Sequence, residues 1–231
     1  MIDIGDRLAG LHAEIQHLAA KNETQSALAR LIAVSKKQPI ESILQASNWG
    51  QKDFAENYVQ EALPKIQALA GRDLCCHFIG PVQSNKCKDI ALHFDWLHTL
   101  DRIKVAKRLS ELRPASLPPL QVLVQVNIDN DQQKSGVAVN ELDELVQSIK
   151  PLPGLQLRGL MTILHAGQTA EQNRNSFAAM RALLTQLQPL FAPDDGFVQL
   201  SMGMSADWRQ ALKEGATMLR LGTAIFGARS G

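Results

Sequence analysis

The chain alternates short β-rich runs with longer segments of helical spacing, and this alternation constrains its fold more than any other feature. The runs at 51–54 and 95–99 are weak by themselves, whereas the Val-rich run at 121–128 is the strongest. The eight candidate strands lie near residues 31–36, 51–54, 74–79, 95–99, 121–128, 156–162, 197–201 and 217–221. A strand followed by a helix, eight times over, predicts a parallel sheet with crossover helices.

Length favours closure of this sheet into a barrel. A (β/α)8 barrel typically takes about 250 residues and tolerates about 200, so the chain of 231 residues fits. An open doubly wound sheet is the rival, but it usually needs fewer strands. Because no Pro/Gly/Ser-rich linker or shift in composition interrupts the chain, we predict a single domain over residues 1–231. Ile4, Leu8, Leu11 and Ile15 share a helical spacing before the first strand, which predicts an extra N-terminal helix.

Two further helices carry apparent start signals. Asn140 looks like the N-cap of a helix that ends before Pro151, and Ser205 could cap the helix that contains Trp208. A third helix is indicated by an apolar stripe that includes Phe177 and Leu184.

Composition excludes several classes of protein. The chain has 24 Lys and Arg against 23 Asp and Glu, a net charge of +1, so binding of nucleic acid or anionic membranes has no electrostatic support. We find no apolar run of about 18 residues and no signal peptide, which argues against a membrane span. The chain has three cysteines, and this odd number argues against a disulfide framework, so we expect a cytoplasmic protein. Because the sequence contains no Cys-x₂-Cys pair, we expect no metal site.

Reactive side chains are expected where strands end, because parallel barrels build their active sites at the carboxyl ends of the strands. Lys36 ends the first candidate strand. Partial burial there disfavours the ammonium form, and the neutral amine can attack a carbonyl. Lys37 follows, and since successive strand residues face opposite sides, at most one of the two lysines points into the barrel. Two solvated loop lysines would produce the same pattern.

The loops after the seventh and eighth strands combine glycines with hydroxyl residues. Ser201, Gly203, Gly222 and Thr223 are candidates for cradling a phosphate, because small residues let backbone N–H groups approach an anion. These loops form the usual phosphate site of such barrels. The glycines could equally serve only to make tight turns. The segment is not a P-loop, since its second glycine is followed by Ala-Arg rather than by Lys and a hydroxyl residue.

Three more polar residues lie in or beside candidate strands. Arg220 is a charge inside an otherwise apolar strand, and a buried arginine needs an acceptor. It could be part of a site, occupy a surface position or form a structural ion pair. Asn57 could hydrogen-bond at the barrel mouth or could simply cap a helix. His77 is interpreted as a satisfied core histidine.

These segments together resemble the pyridoxal 5′-phosphate homeostasis protein family, which is similar to the barrel domain of alanine racemase. The matches span nearly the whole chain in the same order. They are IAVSKKQP (32–39), FAENYVQE (54–61), HFIGPVQSNK (77–86), QVNI…KSGV (125–137), LSMGMSADW (200–208) and RLGTAIFGAR (220–229). Cys76 stands where the family usually has Trp and Ala55 where it has Gly, which puts local packing in doubt but not cofactor binding. The thiols of Cys75 and Cys76 are expected to be buried and inert.

The resemblance implies a cofactor and a role for each matching residue. The cofactor is pyridoxal 5′-phosphate (PLP), and Lys36 rather than Lys37 matches the lysine that forms the internal aldimine. Ser201, Gly222 and Thr223 match positions that hold the phosphate. Arg220 matches the arginine that faces the pyridine nitrogen, and Asn57 an asparagine near the ring.

Three functions are consistent with these residues. The first is a PLP carrier or buffer in vitamin B6 homeostasis without robust turnover, because an arginine cannot accept a proton from the ring nitrogen and leaves the ring a weak electron sink. Candidate recipients are PLP-dependent apoenzymes, and a monomer is expected because the second domain of the racemase is missing. The second is a weak PLP-dependent amino-acid racemase that uses Lys36. The third is a cofactor-free isomerase of sugar phosphates, which leaves Lys36 and Arg220 unused.

Overall fold

Eight parallel strands close into a barrel in the computed structural model, which describes residues 3–21, 29–131 and 133–227. The first strand pairs with the second on one side and with the eighth on the other. The strands are β1 (Arg30–Val34), β2 (Asp53–Glu56), β3 (Cys75–Phe78), β4 (Trp96–Leu100), β5 (Leu120–Gln125), β6 (Leu155–Met161), β7 (Gln199–Ser201) and β8 (Met218–Leu221). The predicted strands and the closed barrel are therefore confirmed, and the rival open sheet is wrong. Ala228 and Arg229 of the last motif lie outside the described residues.

The helices surround the barrel and include the extra helix that precedes β1. They are α1 (Ile4–Lys21), α2 (Ile40–Asn48), α3 (Val59–Ala68), α4 (Cys87–His93), α5 (Ile103–Leu112), α6 (Leu142–Ile149), α7 (Ala170–Leu187), α8 (Trp208–Lys213) and α9 (Thr223–Phe226). The apolar stripe on α7 is confirmed, since Phe177 and Leu184 are buried. No helix among the described residues combines the length and the apolar character that crossing a membrane requires.

Alternation along each strand produces two separate apolar cores. One face of the strands packs against the helices, with residues such as Leu31 and Phe54 in a large buried cluster. The other face fills the barrel interior with a smaller cluster that includes Ile32, Trp96 and Met161. The interior is therefore a packed core, and polar side chains on this face are enclosed by it.

Both predicted helix caps are wrong. Asn140 lies inside a short 3₁₀ turn, Val139–Glu141, and α6 begins one residue later without a side-chain cap. Ser205 lies three residues before α8 and bonds to another side chain instead. A cap depends on which single residue leaves the helical backbone conformation, and this boundary shifts by one or two residues without changing the apolar pattern.

Candidate functional site

Lys36 lies two residues beyond β1, at the carboxyl end of the barrel. Ile32 and Val34 belong to the interior core, and Lys36 continues their alternation into a cavity that Val34 also lines. Lys37 is exposed, with φ of 59°, and its backbone N–H donates to the carboxylate of Glu61. Only the first of the two lysines therefore lines the barrel mouth.

A buried ionic cluster holds the backbone on both sides of Lys36. The Lys65 ammonium donates to the Ser35 carbonyl at 2.8 Å and to carboxylate oxygens of Glu56 and Glu61, each at 2.7 Å. Glu61 also accepts the N–H of Lys37. Burial raises the pKa of Glu56, although Lys65 and Ser35 oppose the shift. The turn that carries Lys36 is thus attached to β2 and α3.

The cavity at the carboxyl end of the strands has a volume of about 320 Å³. This volume falls in the range of small-molecule sites. The predicted residues Lys36, Asn57, Arg220, Gly222 and Thr223 all line it. The other lining residues are Val34, Ile79, Gly80, Pro81, Ile163, Met204 and Ser205.

Arg220 brings a buried positive charge to this cavity. It belongs to β8 and is 3% exposed. Its guanidinium donates to the Ser201 hydroxyl at 2.7 Å and to the Thr162 carbonyl at 2.8 Å, which are both neutral acceptors. No carboxylate of the described residues forms an ion pair with it. Burial lowers the pKa of Arg220 to about 10, and Asp207 opposes the shift, so the group stays charged at neutral pH.

Ser201 lies beneath the cavity rather than in its wall. It is fully buried at the end of β7, and its hydroxyl bonds to Arg220 and to His98. This placement differs from the prediction that Ser201 helps to hold a phosphate. The hydroxyls that line the cavity are those of Ser205 and Thr223, which lie 2.9 Å apart. The apolar pattern does not indicate Ser205, because it does not show how the loop after β7 covers the end of that strand.

Asn57 stands at the cavity wall with an unsatisfied polar atom. Its side-chain oxygen is buried and has no hydrogen-bond partner among the described residues. Gly80 packs against its backbone so closely that a Cβ atom would lie 2.0 Å from the Asn57 carbonyl oxygen. Asn57 is also not a helix cap, since α3 begins at Val59 with Tyr58 before it.

Sequence reasoning placed His77 in the core but missed that it belongs to a chain of polar groups. His77 and His98 are fully buried on neighbouring strands, with their ring nitrogens 2.9 Å apart. His77 also bonds to Asp53 at 2.9 Å. The alternation of β3 and β4 carried the signal, because both histidines occupy inward-facing positions.

The two positions that depart from the family pattern lie away from the cavity wall. Ala55 is fully buried in the interior core. Cys76 packs against the outer core, and burial raises the pKa of its thiol to about 12. Burial also raises the pKa of Cys75. Both thiols are thus protonated at neutral pH, as inert cysteines are.

Comparisons with known proteins show the family to which the chain belongs. The family described as the N-terminal domain of alanine racemase matches residues 8–230. The pyridoxal phosphate homeostasis protein of Pseudomonas aeruginosa is 46% identical over 229 residues, which are 99% of this chain and 97% of that protein. The chain belongs to the pyridoxal phosphate homeostasis protein family. Its counterpart from Escherichia coli K12 is 43% identical and covers 99% of this chain and 98% of its own length.

Solved structures show the same barrel. PipY of Synechococcus elongatus PCC7942, solved with PLP bound, is 37% identical with a TM-score of 0.86, over 97% of this chain and all of that one. Alanine racemase from Corynebacterium glutamicum is 18% identical with a TM-score of 0.66, over 93% of this chain and 60% of that one. The second likeness concerns the fold alone.

Proposed function

We propose that this protein binds PLP reversibly at the carboxyl end of its barrel and serves as a PLP carrier or buffer. The observation that carries the proposal is the placement of Lys36 and the uncompensated guanidinium of Arg220 in the walls of one cavity. An amine can condense with an aldehyde to form an imine and release one water molecule. A guanidinium can donate to a ring nitrogen but cannot take a proton from it.

The remaining wall residues fit the other parts of the same ligand. The Ser205 and Thr223 hydroxyls, beside Gly222, offer donors for a phosphate. The buried oxygen of Asn57 lacks a partner among the described residues and lies where the ring would be held. We assign the phosphate to Ser205, Gly222 and Thr223, with Ser201 supporting Arg220 from below.

The wall of the cavity also supports a role without robust turnover. Proton transfer on both faces of a substrate needs two bases. Lys36 and Arg220 are the only ionisable side chains that the described residues contribute to the wall. Arg220 cannot act as a base, and Tyr58, the one tyrosine of the chain, is 58% exposed and lies outside the wall. PLP held in this way would be passed on to PLP-dependent apoenzymes.

Borohydride reduction followed by peptide mass spectrometry tests the site. We expect a pyridoxyl adduct on Lys36 in the wild-type protein and in Lys37→Ala, and no adduct in Lys36→Ala. An adduct on another residue would overturn the assignment. Loaded protein mixed with L- or D-amino acids in deuterated water tests turnover, and exchange of the α-hydrogen at a catalytic rate would show a racemase-type enzyme instead.

A further inference from the structure

Five polar side chains form one continuous hydrogen-bonded series through the barrel interior. It begins at Arg220, whose guanidinium donates to Ser201 at 2.7 Å. The Ser201 hydroxyl lies 2.8 Å from Nδ1 of His98. The series then passes through the His98–His77 and His77–Asp53 contacts already described. Asp53 is the first residue of β2, so the series runs from the opposite end of the barrel to the wall of the cavity.

Only one arrangement of protons satisfies every link when both rings are neutral. The Asp53 carboxylate at one end only accepts and the Arg220 guanidinium at the other only donates, so the Ser201 oxygen accepts from Arg220 and its single proton goes to Nδ1 of His98. His98 then carries its proton on Nε2 and donates it to Nδ1 of His77. His77 in turn donates from Nε2 to the Asp53 carboxylate.

The surroundings favour the neutral rings that this arrangement requires. Burial lowers the pKa of His77, although Asp53 opposes the shift. Burial, with His77, Arg220 and Arg30 nearby, places the pKa of His98 well below its usual value. Trp96 stacks on His77 with 5.7 Å between ring centroids and closes the interior around it.

At its Asp53 end, the series is arranged for hydrogen bonding rather than for binding a metal ion. Donor atoms of Asp53, Cys75 and His77 lie within 4.8 Å of one another. However, the Arg30 guanidinium is 3.6 Å from the Asp53 carboxylate, and this positive charge opposes a bound cation. Asp53 therefore accepts from His77 and is fixed by Arg30.

We propose that Asp53, His77, His98 and Ser201 are positioning residues that present Arg220 to the ligand in a single orientation. The series keeps the Ser201 oxygen an acceptor, and the Thr162 carbonyl holds the second nitrogen of the guanidinium. This inference rests on the proposed function, in which Arg220 contacts the ring of PLP. PLP affinity should therefore depend also on residues that do not line the cavity.

Nitrogen NMR of the histidine rings in the full chain without PLP tests the proton arrangement. We expect His77 and His98 to be neutral and protonated on Nε2 at neutral pH. A ring protonated on Nδ1, or charged at neutral pH, would overturn the proposal. This result does not depend on whether PLP binds.

A mutant cycle on PLP affinity tests the positioning role. We expect Ser201→Ala and His98→Leu each to weaken binding about tenfold, and the double variant also about tenfold, because links in series are lost together. His98→Asn retains an acceptor for Ser201 and should remain within about threefold of the wild type. Trp96→Phe, which alters packing on His77 without removing a link, is the matched control and should bind PLP normally.

The visible absorption of bound PLP distinguishes positioning from a loss of folding. The band should shift in His98→Leu and Ser201→Ala but not in Trp96→Phe. Additive losses, or wild-type affinity in Ser201→Ala, would overturn the positioning role while PLP remained on Lys36. Absence of PLP from wild-type Lys36 would instead defeat the proposed function, with the NMR result still judging the proton arrangement.

Discussion

Arg220 is placed where folding alone would not place it. A buried charge is costly unless a charge of opposite sign compensates it, and neutral acceptors compensate it only in part. Both hydrogen-bond acceptors of Arg220 among the described residues, the Ser201 hydroxyl and the Thr162 carbonyl, are neutral. Arg220 thus resembles a residue that is retained for ligand binding although it lowers the stability of the folded protein.

Replacing Arg220 with methionine should separate these two effects. We expect Arg220→Met to raise the free energy of unfolding of the PLP-free protein by about 1 kcal/mol, because a buried charge is removed. PLP affinity should fall at least about tenfold, since a charged hydrogen bond is lost. Urea unfolding without PLP and fluorescence titration with PLP measure the two quantities.

Arg113→Met provides the matched control. Arg113 also donates to backbone carbonyls, those of Ala91, Phe94 and Pro118, but it is less buried and lies outside the cavity wall. This variant should lose stability and bind PLP normally. If Arg220→Met lost as much stability as Arg113→Met, Arg220 would be a structural residue.

The placement of Lys36 and Arg220 at the cavity could be predicted because strand ends and strand interiors are visible in the apolar pattern. Their roles toward PLP stay predictions. Ser201 lies outside the cavity wall, and the apolar pattern does not show how the loop after β7 covers the end of that strand. The link between His98 and Ser201 spans 103 positions, and no local pattern reports such a contact.

At the scale of elements, the mouth of the barrel depends on the close approach of two loops. Gly80 follows β3 and contacts the backbone of Asn57, which follows β2. The Thr99 hydroxyl donates to the Gly80 carbonyl at 2.6 Å and fixes this loop to β4. The absence of a side chain at Gly80 therefore sets the position of Asn57 in the cavity wall.

Gly80→Ala should damage both the fold and the site. A methyl group would meet the Asn57 carbonyl oxygen at 2.0 Å, so the two loops must separate. We expect a loss of about 2–3 kcal/mol in the free energy of unfolding and weaker PLP binding, because overpacking forces the backbone to shift. Thermal unfolding and PLP titration check both expectations.

Gly10→Ala is the control for the same substitution. Gly10 lies within α1, and a Cβ atom there has no neighbour within 4 Å. We expect this variant to gain about 0.5–1 kcal/mol, because alanine is the better helix former, and to bind PLP normally. Equal stability of the two variants would contradict the tight contact at Gly80.

The elements themselves were largely predictable, and their ends were not. Strands of a parallel barrel are buried on both faces, so their apolar runs stand out between polar segments. The caps at Asn140 and Ser205 failed because several polar residues precede each helix and any of them could begin it. The capping box of α7, formed by Thr169 and Gln172, was missed for the same reason.

At the scale of the whole molecule, the polar series connects the two ends of the barrel through an apolar interior. Such a series is favourable only while each group keeps the protonation state that its neighbours require. His77 and His98 are the members whose ordinary pKa lies nearest to physiological pH. The stability of the whole barrel should therefore respond to acid through these two residues.

The sign of this response follows from the direction of the two shifts. Burial lowers the pKa of His77 and of His98 in the folded protein, so the unfolded chain binds protons first as the pH falls. Each neutral ring makes its full contribution to the free energy of unfolding above about pH 6.5. This contribution decreases on acidification, by up to about 1.4 kcal/mol per pH unit. Glu56 has the opposite effect: because its pKa is raised in the folded protein, its contribution to the free energy of unfolding increases on acidification.

Comparison of the wild type with His98→Asn tests the pH response of the His77–His98 pair. As the pH falls below about 6.5, the stability advantage of the wild type should shrink by up to about 1.4 kcal/mol per pH unit, because only the wild type must keep His98 neutral. Urea unfolding at a series of pH values measures the difference. His12→Asn, at an exposed position on α1, is the control for the substitution itself. A difference between the wild type and His98→Asn that did not change with pH would mean that His98 is not held neutral, and that the series through the barrel does not carry the protons in the order inferred.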